Sequence, residues 1–307
     1  MSESCSGSCG SCSESCSSRK PSKEELLEPM NQYSNVKRVI GVVSGKGGVG
    51  KSNVAVNLAI QLTKAGKKVL IFDADFGLAN VEVMFGVAPK YNLFDVIYKG
   101  KSMKEIITPG PMGIGFISGG SGIVGLSNLY REQIMYLIRC LGELNELADF
   151  IIIDTGAGIS PQVLEFVMAS PEVLLITTPE PSSLTDSYSL LKVLYRNPKF
   201  TSGGTVVHVI ANKVTSNEEG KQVFDKLSTV VSQFLNGSID YLGTIPQDWQ
   251  LEKSIRQQKT VSINAPNSSA TKAFEVLADN LLNGTHEQIQ IGWGITQLFM
   301  KFFNRMN

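Results

Sequence analysis

Gly45-Lys46-Gly47-Gly48-Val49-Gly50-Lys51-Ser52 decides the reading of this chain. The stretch satisfies the pattern G-x-x-x-x-G-K-S. It lies between VKRVIGVVS, apolar enough for a buried strand, and SNVAVNLAIQL, which has the length and spacing of a helix. In that context the glycines let the backbone wrap an anion, so that successive N–H groups and the helix N-terminus face its oxygens. Lys51 adds a positive charge and Ser52 offers a hydroxyl to Mg2+, so the stretch is expected to hold the phosphates of a nucleotide.

Outside the loop, short apolar runs alternate with longer helical stretches. KKVLIFDAD, MGIGFIS, FIIIDTG, EVLLITTP, TVVHVIANK and IDYLGTIP read as further strands, several apolar almost throughout, as strands covered on both faces are. KSNVAVNLAIQLTKAG, ending at Gly66, and SNLYREQIMYLIRCLGELNE read as helices. The alternation predicts an α/β fold with a doubly wound, mainly parallel sheet. We expect one domain over residues 36–285. Residues 1–35 are rich in Ser, Gly, Cys and charge and read as a disordered tail, because they hold too little apolar surface to offset the entropy of ordering.

The composition agrees with one large core. The 307 residues are 42% hydrophobic and 18% charged, and 28 Lys and Arg balance 28 Asp and Glu, so no overall field draws nucleic acid or anionic lipid. A strongly basic surface of the kind a DNA-partitioning ATPase needs is not evident. No apolar run is long enough to span a bilayer and the N-terminus lacks a signal-peptide core, so a cytoplasmic location is expected. Four of the five cysteines fall in the first sixteen residues, which argues against a disulfide framework, and Cys140 reads as a small buried thiol. His208 and His286 stand alone and receive no chemistry.

Two acidic stretches fall at the C-terminal ends of expected strands, where an open α/β sheet assembles its ligand site: Asp73-Ala74-Asp75-Phe76-Gly77-Leu78-Ala79-Asn80 and Asp154-Thr155-Gly156-Ala157-Gly158. Carboxylates there can support a metal and orient water toward a γ-phosphate.

Lys46, just after the first glycine, is not required by an ordinary phosphate loop. Its placement resembles the deviant Walker A motif of the MinD/ParA/nitrogenase-iron-protein group, in which the corresponding lysine reaches the partner subunit's nucleotide across a dimer. The resemblance implies an ATP hydrolase that forms an ATP-dependent homodimer. Gly45, Gly47, Gly48, Val49, Gly50, Lys51 and Ser52 would hold the nucleotide, and Lys46 and Lys51 would act on its phosphates. Asp75 would position or activate the water, with Asn80 on the nucleophile's side. Asp73 and Asp154 would join Ser52 in supporting Mg2+. Asn212, at the end of VVHVIANKV, resembles the adenine-contacting asparagine of the group, and IPQD, which contains Pro246, its second base-flanking segment.

Within the group, DADFGLANVEVMFGV, PKYNLFDVI, GFISGGSGIVGLSNL, DTGAGIS and IPQDWQLEKSIRQQKTV look like the FlhG family, from about Val36 to the C-terminus. That resemblance implies control of flagellar number or placement, with an FlhF-like GTPase and flagellar switch proteins as partners. The C-terminal stretch 286–307 adds a physical point. At 100° per residue, Ile295, Leu298, Phe299, Phe302 and Met306 share one face, while Gln297, Lys301, Asn304 and Arg305 take the other. Such a helix suits an anionic membrane surface, with Gly292 and Gly294 beside Trp293 as its hinge, and implies peripheral association with the inner face of the cell membrane.

The N-terminus departs from that family. The D-Q-A-x-x-L-R signature that stimulates FlhF is missing, and Cys5-x3-Cys9-x2-Cys12-x3-Cys16 stands in its place. This start resembles the Mrp/ApbC-type iron-sulfur carriers, and four such thiolates can ligate an iron-sulfur cluster or Zn2+. The C-x-x-C pair with which those carriers bridge a dimer is absent, since only Cys140 follows residue 16.

Overall fold

The seven expected strands all form in the computed structural model, which describes residues 38–75, 80–120, 133, 136, 137, 140–201 and 204–284. They are β1 (Arg38–Val43), β2 (Val69–Ala74), β4 (Gly115–Ser118), β5 (Phe150–Thr155), β6 (Glu172–Thr177), β7 (Val206–Val214) and β8 (Asp240–Pro246). A two-residue strand that periodicity could not reveal, β3 (Thr108–Pro109), pairs antiparallel with β4. The sheet runs β3-β4-β2-β5-β1-β6-β7-β8, and every pairing except β3 with β4 is parallel.

Strand alternation sends side chains to two faces. Ile40 and Val42 of β1, Ile152 of β5, and Leu174 and Ile176 of β6 join one core. That core also takes α1 (Lys51–Lys64) and the last described helix, Ser269–Asn283. On the other face, Ile151 and Ile153 pack near Phe72 and Phe166, while Val173 and Leu175 pack against Leu190, Leu194, Leu227 and Val231. Because α1 is enclosed by strands and by Ser269–Asn283, even its polar residues Asn57 and Gln61 are buried, and both are bonded. Asn57 accepts from the Ser262 N–H at 3.0 Å, and Gln61 donates to the Ser262 hydroxyl at 3.1 Å.

The helix expected over SNLYREQIMYLIRCLGELNE ends early. After Leu141 the chain tightens into a 3-10 turn, Gly142–Glu146, that delivers it to β5. Cys140 is buried, as expected. The cysteine-bearing tail and the C-terminal amphipathic stretch lie outside the described residues. No helix among the described residues is long and apolar enough to cross a membrane.

Candidate functional site

The chain leaves β1 toward β2 on one side of it and later returns to β6 on the other, so the phosphate loop rises at the point where the strand order reverses. Beside it stand the C-terminal ends of β2 and β5. Gly48 and Gly50 adopt left-handed backbone (φ 77° and 94°), which glycine alone takes readily. Gly50 caps α1 without a side chain, so the first-turn N–H groups remain available to an anion. A Cβ on Gly47 or Gly48 would meet nothing within 4 Å. That side of the loop is open for phosphate.

Lys51 and Asp154 form a buried ion pair, Nζ to Oδ1 2.7 Å, with Asp154 fully enclosed. The second Asp154 oxygen is buried without a hydrogen-bond partner. Parallel pairing sets Asp73 directly beside Asp154. Asp73 accepts the N–H groups of Asp75, Asn80 and Val81 at 3.1, 3.0 and 3.1 Å. Burial, reinforced by the Asp154 charge, nevertheless pushes the Asp73 carboxyl up to about 7. Two buried carboxylates, one with an unsatisfied oxygen, and the Ser52 hydroxyl at the first turn of α1 form an oxygen-rich donor set that suits a hard divalent cation. Asp75 is less buried and lies over the turn after β5, its carboxyl carbon 4.0 Å from where a Gly156 Cβ would be. That turn is stitched to the base of the loop, through the Thr155 hydroxyl to Val42 O and Gly158 N to Ser44 O, each at 2.9 Å.

Lys46 points away from this centre. Its ammonium lies 2.9 Å from both the Glu180 carboxylate and the Ser182 hydroxyl, at the start of the helix Pro181–Tyr195, in a solvent-exposed cluster. The hydrogen bond from Lys46, then its charge and a smaller contribution from Lys213, hold the Glu180 carboxyl below its ordinary range. Asn212 is buried beside the loop and donates to Val49 O at 2.7 Å. Pro246 ends β8 opposite Val214. Asp248 of the IPQD stretch is structural: it caps the helix Trp249–Arg256 through Gln250 N at 2.7 Å and reaches Ala270 N at 2.8 Å.

The structure thus gathers Gly45 to Ser52, Asp73, Asp75, Asp154 and Asn212 around one loop, with Asn80 bonded to Asp73. Two neighbours had no motif to announce them: Glu180, a charge in a strand-to-helix turn, and Lys213, whose ammonium reaches Gly48 O at 3.0 Å. Cys5, Cys9, Cys12 and Cys16 are not among the described residues, which hold no group of three or more His, Cys, Asp or Glu able to bind a metal ion.

Comparison with known proteins agrees with this geometry. A family profile described as "ParA: NUBPL iron-transfer P-loop NTPase" matches residues 35–282. The chain is 39% identical over 244 residues to the antiactivator FleN of Pseudomonas aeruginosa, covering 80% of this chain and 86% of that protein. It is 35% identical over 248 residues to the flagellum site-determining protein YlxH of Helicobacter pylori, covering 80% and 82%. The solved cell division ATPase MinD of Pyrococcus furiosus superposes with a TM-score of 0.63 at 25% identity, over 80% of this chain and 99% of that one. With its phosphate loop, second loop lysine and paired strand-end carboxylates in place, the chain belongs to the ParA/MinD-type P-loop NTPase family and is an ATP-hydrolysing enzyme.

Proposed function

We propose that this ATPase is a switch of the MinD and FlhG type that sets flagellar number or placement. ATP brings two copies together, the C-terminal helix then holds the dimer on the inner face of the cell membrane, and hydrolysis returns monomers to the cytosol. An FlhF-like GTPase and flagellar switch proteins are its proposed partners. The observation that carries the switch is the position of Lys46. It is the extra lysine of the loop, it faces solvent, and among the described residues its ammonium is held by an exposed contact with Glu180 and Ser182. Such pairs stabilise little, so Lys46 is free to leave for the nucleotide of a second copy.

In this reading the loop N–H groups take the phosphates, and Lys51 exchanges the Asp154 carboxylate for them. Ser52, Asp73 and Asp154 are the residues suited to hold Mg2+ directly or through water, and the bound ion supplies charge neutralisation on the phosphate oxygens. Asp75, beside the turn after β5, accepts a hydrogen bond from the attacking water and orients it. Asn80 supports the same side.

Sedimentation with ATP tests the sandwich: the parent should dimerise and Lys46→Ala should not, and dimerisation unaltered by that substitution would remove this half of the proposal. ATP-dependent binding to anionic liposomes tests the membrane half, which fails if binding survives deletion of residues 291–307.

A second reading, a metal-cluster carrier, is favoured by the four N-terminal cysteines and by the iron-transfer description of the matching family. Anaerobic reconstitution with iron and sulfide separates the two. A carrier takes up a visible-absorbing cluster and loses it when Cys9 and Cys12 become Ser.

A further inference from the structure

Lys213 belongs to no motif of the phosphate site, yet its backbone is held at φ 58°, a left-handed conformation that lysine rarely adopts. The pairing of β7 with β8 slips here, from Asn212 opposite Ile245 to Val214 opposite Pro246. An irregularity of this kind bends a strand and re-aims a side chain. Here it turns the ammonium of an exposed residue onto the phosphate loop, 3.0 Å from the Gly48 carbonyl. Asn212, its neighbour, donates to the next carbonyl, that of Val49, at 2.7 Å. Consecutive residues of β7 therefore hold consecutive carbonyls of the loop.

A peptide unit is planar and trans, so its C=O and N–H point in opposite directions. Drawing the Gly48 carbonyl toward β7 turns the Val49 N–H away from β7, and drawing the Val49 carbonyl does the same for the Gly50 N–H. These two donors belong to the run of amides that cradles phosphate. Gly50 permits the arrangement, because a Cβ there would sit 2.4 Å from the Asn212 side-chain nitrogen.

We propose that Lys213 is a positioning residue for nucleotide binding: with Asn212 it presets the two peptide planes so that the Val49 and Gly50 N–H groups face the phosphates before the nucleotide arrives. The inference rests on the phosphate-site reading and extends it to a residue outside the loop. A preset loop reorganises less on binding, so the gain falls on phosphate-bearing ligands and not on the nucleoside alone.

Isothermal titration of MgADP, MgATP and adenosine into the full chain, with the fold of each variant checked by nucleotide-free melting, tests it. Lys213→Met should weaken both nucleotides about fivefold to tenfold and leave adenosine within about twofold, while Lys213→Arg should bind within about twofold of the parent. Lys213→Gly, which relieves the left-handed backbone but lacks the ammonium, should bind as poorly as Lys213→Met. The proposal is overturned if Lys213→Met binds like the parent, if adenosine weakens in parallel, if arginine fails to restore affinity, or if the glycine variant binds normally. A parent chain that binds neither nucleotide, with Lys51→Ala indistinguishable from it, would instead overturn the phosphate-site reading.

Discussion

Asp73 and Asp154 stand side by side on adjacent strands, and their shared burial makes the nucleotide-free protein sensitive to pH. The Asp73 carboxyl titrates near 7 in the fold, against an ordinary 3.8, so between those values the folded chain keeps a proton that the unfolded chain has released. The stability linked to that proton is complete below 3.8 and is lost as pH rises through 7. Asp73→Asn should flatten this decline, with the difference in slope integrating to roughly 4 kcal/mol between pH ~4 and pH ~8. Denaturant titrations at several pH values read it, and parallel slopes for parent and variant would refute the assignment. At Gly50, Ala would face both a left-handed backbone and the Asn212 amide. Gly50→Ala is expected to cost about 1–3 kcal/mol and to abolish measurable MgADP binding. Calorimetry gives both quantities.

The two longer helices that follow β8, Trp249–Arg256 and Ser269–Asn283, are fastened at their first turns. The Asp248 carboxylate accepts one N–H from its own helix, Trp249–Arg256, and another from Ala270 in the first turn of Ser269–Asn283. Asp248→Ala leaves two backbone donors unsatisfied, one of them buried, so it should destabilise by about 1–3 kcal/mol while leaving nucleotide affinity unchanged. The helix Ser269–Asn283 then seals α1 with Phe274, which is fully buried. Phe274→Ala should cost about 3–5 kcal/mol by urea unfolding, since it opens a cavity beneath the helix that begins the phosphate site. A loss under about 1 kcal/mol would mean that this layer contributes little to the core.

At the scale of the whole molecule, the sheet is tied at the end opposite the nucleotide. Arg38 at the start of β1 donates to Glu172 at the start of β6, with Nε to Oε2 at 2.9 Å, and to the carbonyl of Leu281 in the last described helix. His208 of β7 approaches the same carboxylate, Nε2 to Oε1 3.3 Å. Although burial alone would raise the Glu172 carboxyl, its contacts with His208 and Arg38 leave it below the ordinary range. The stability it contributes is therefore present above 4.5 and is lost as pH falls below that value. Glu172→Gln should cost about 2–4 kcal/mol near neutral pH, because it leaves a part-buried guanidinium without its carboxylate, and the deficit should shrink in acid. MgATP affinity should not change. An equal deficit at pH ~4 and pH ~7 would count against the ion cluster as the cause.

How much of this was legible in the chain differs by feature. Apolar runs between helical stretches gave away seven strands, because a strand covered on both faces must be apolar and a phosphate loop must follow one. The two-residue β3 carried too few residues for a period to show. Gly45 to Ser52, Asp73, Asp75 and Asp154 could be marked as one candidate site because phosphate and metal chemistry uses those residue types at strand ends, and the sheet brings them together. Glu180 and Lys213 could not, since a single charge just after a strand or near its end looks like any solvated residue. Sequence alone determined the layered α/β order and the chemical identity of the loop, both of which depend on local pattern. Only the tertiary structure decided that Lys46 rests on Glu180, that Lys51 holds Asp154, and that the β7 irregularity turns Lys213 onto the loop. Those contacts join residues more than a hundred positions apart, and their geometry comes from strand order and register, which no local pattern encodes.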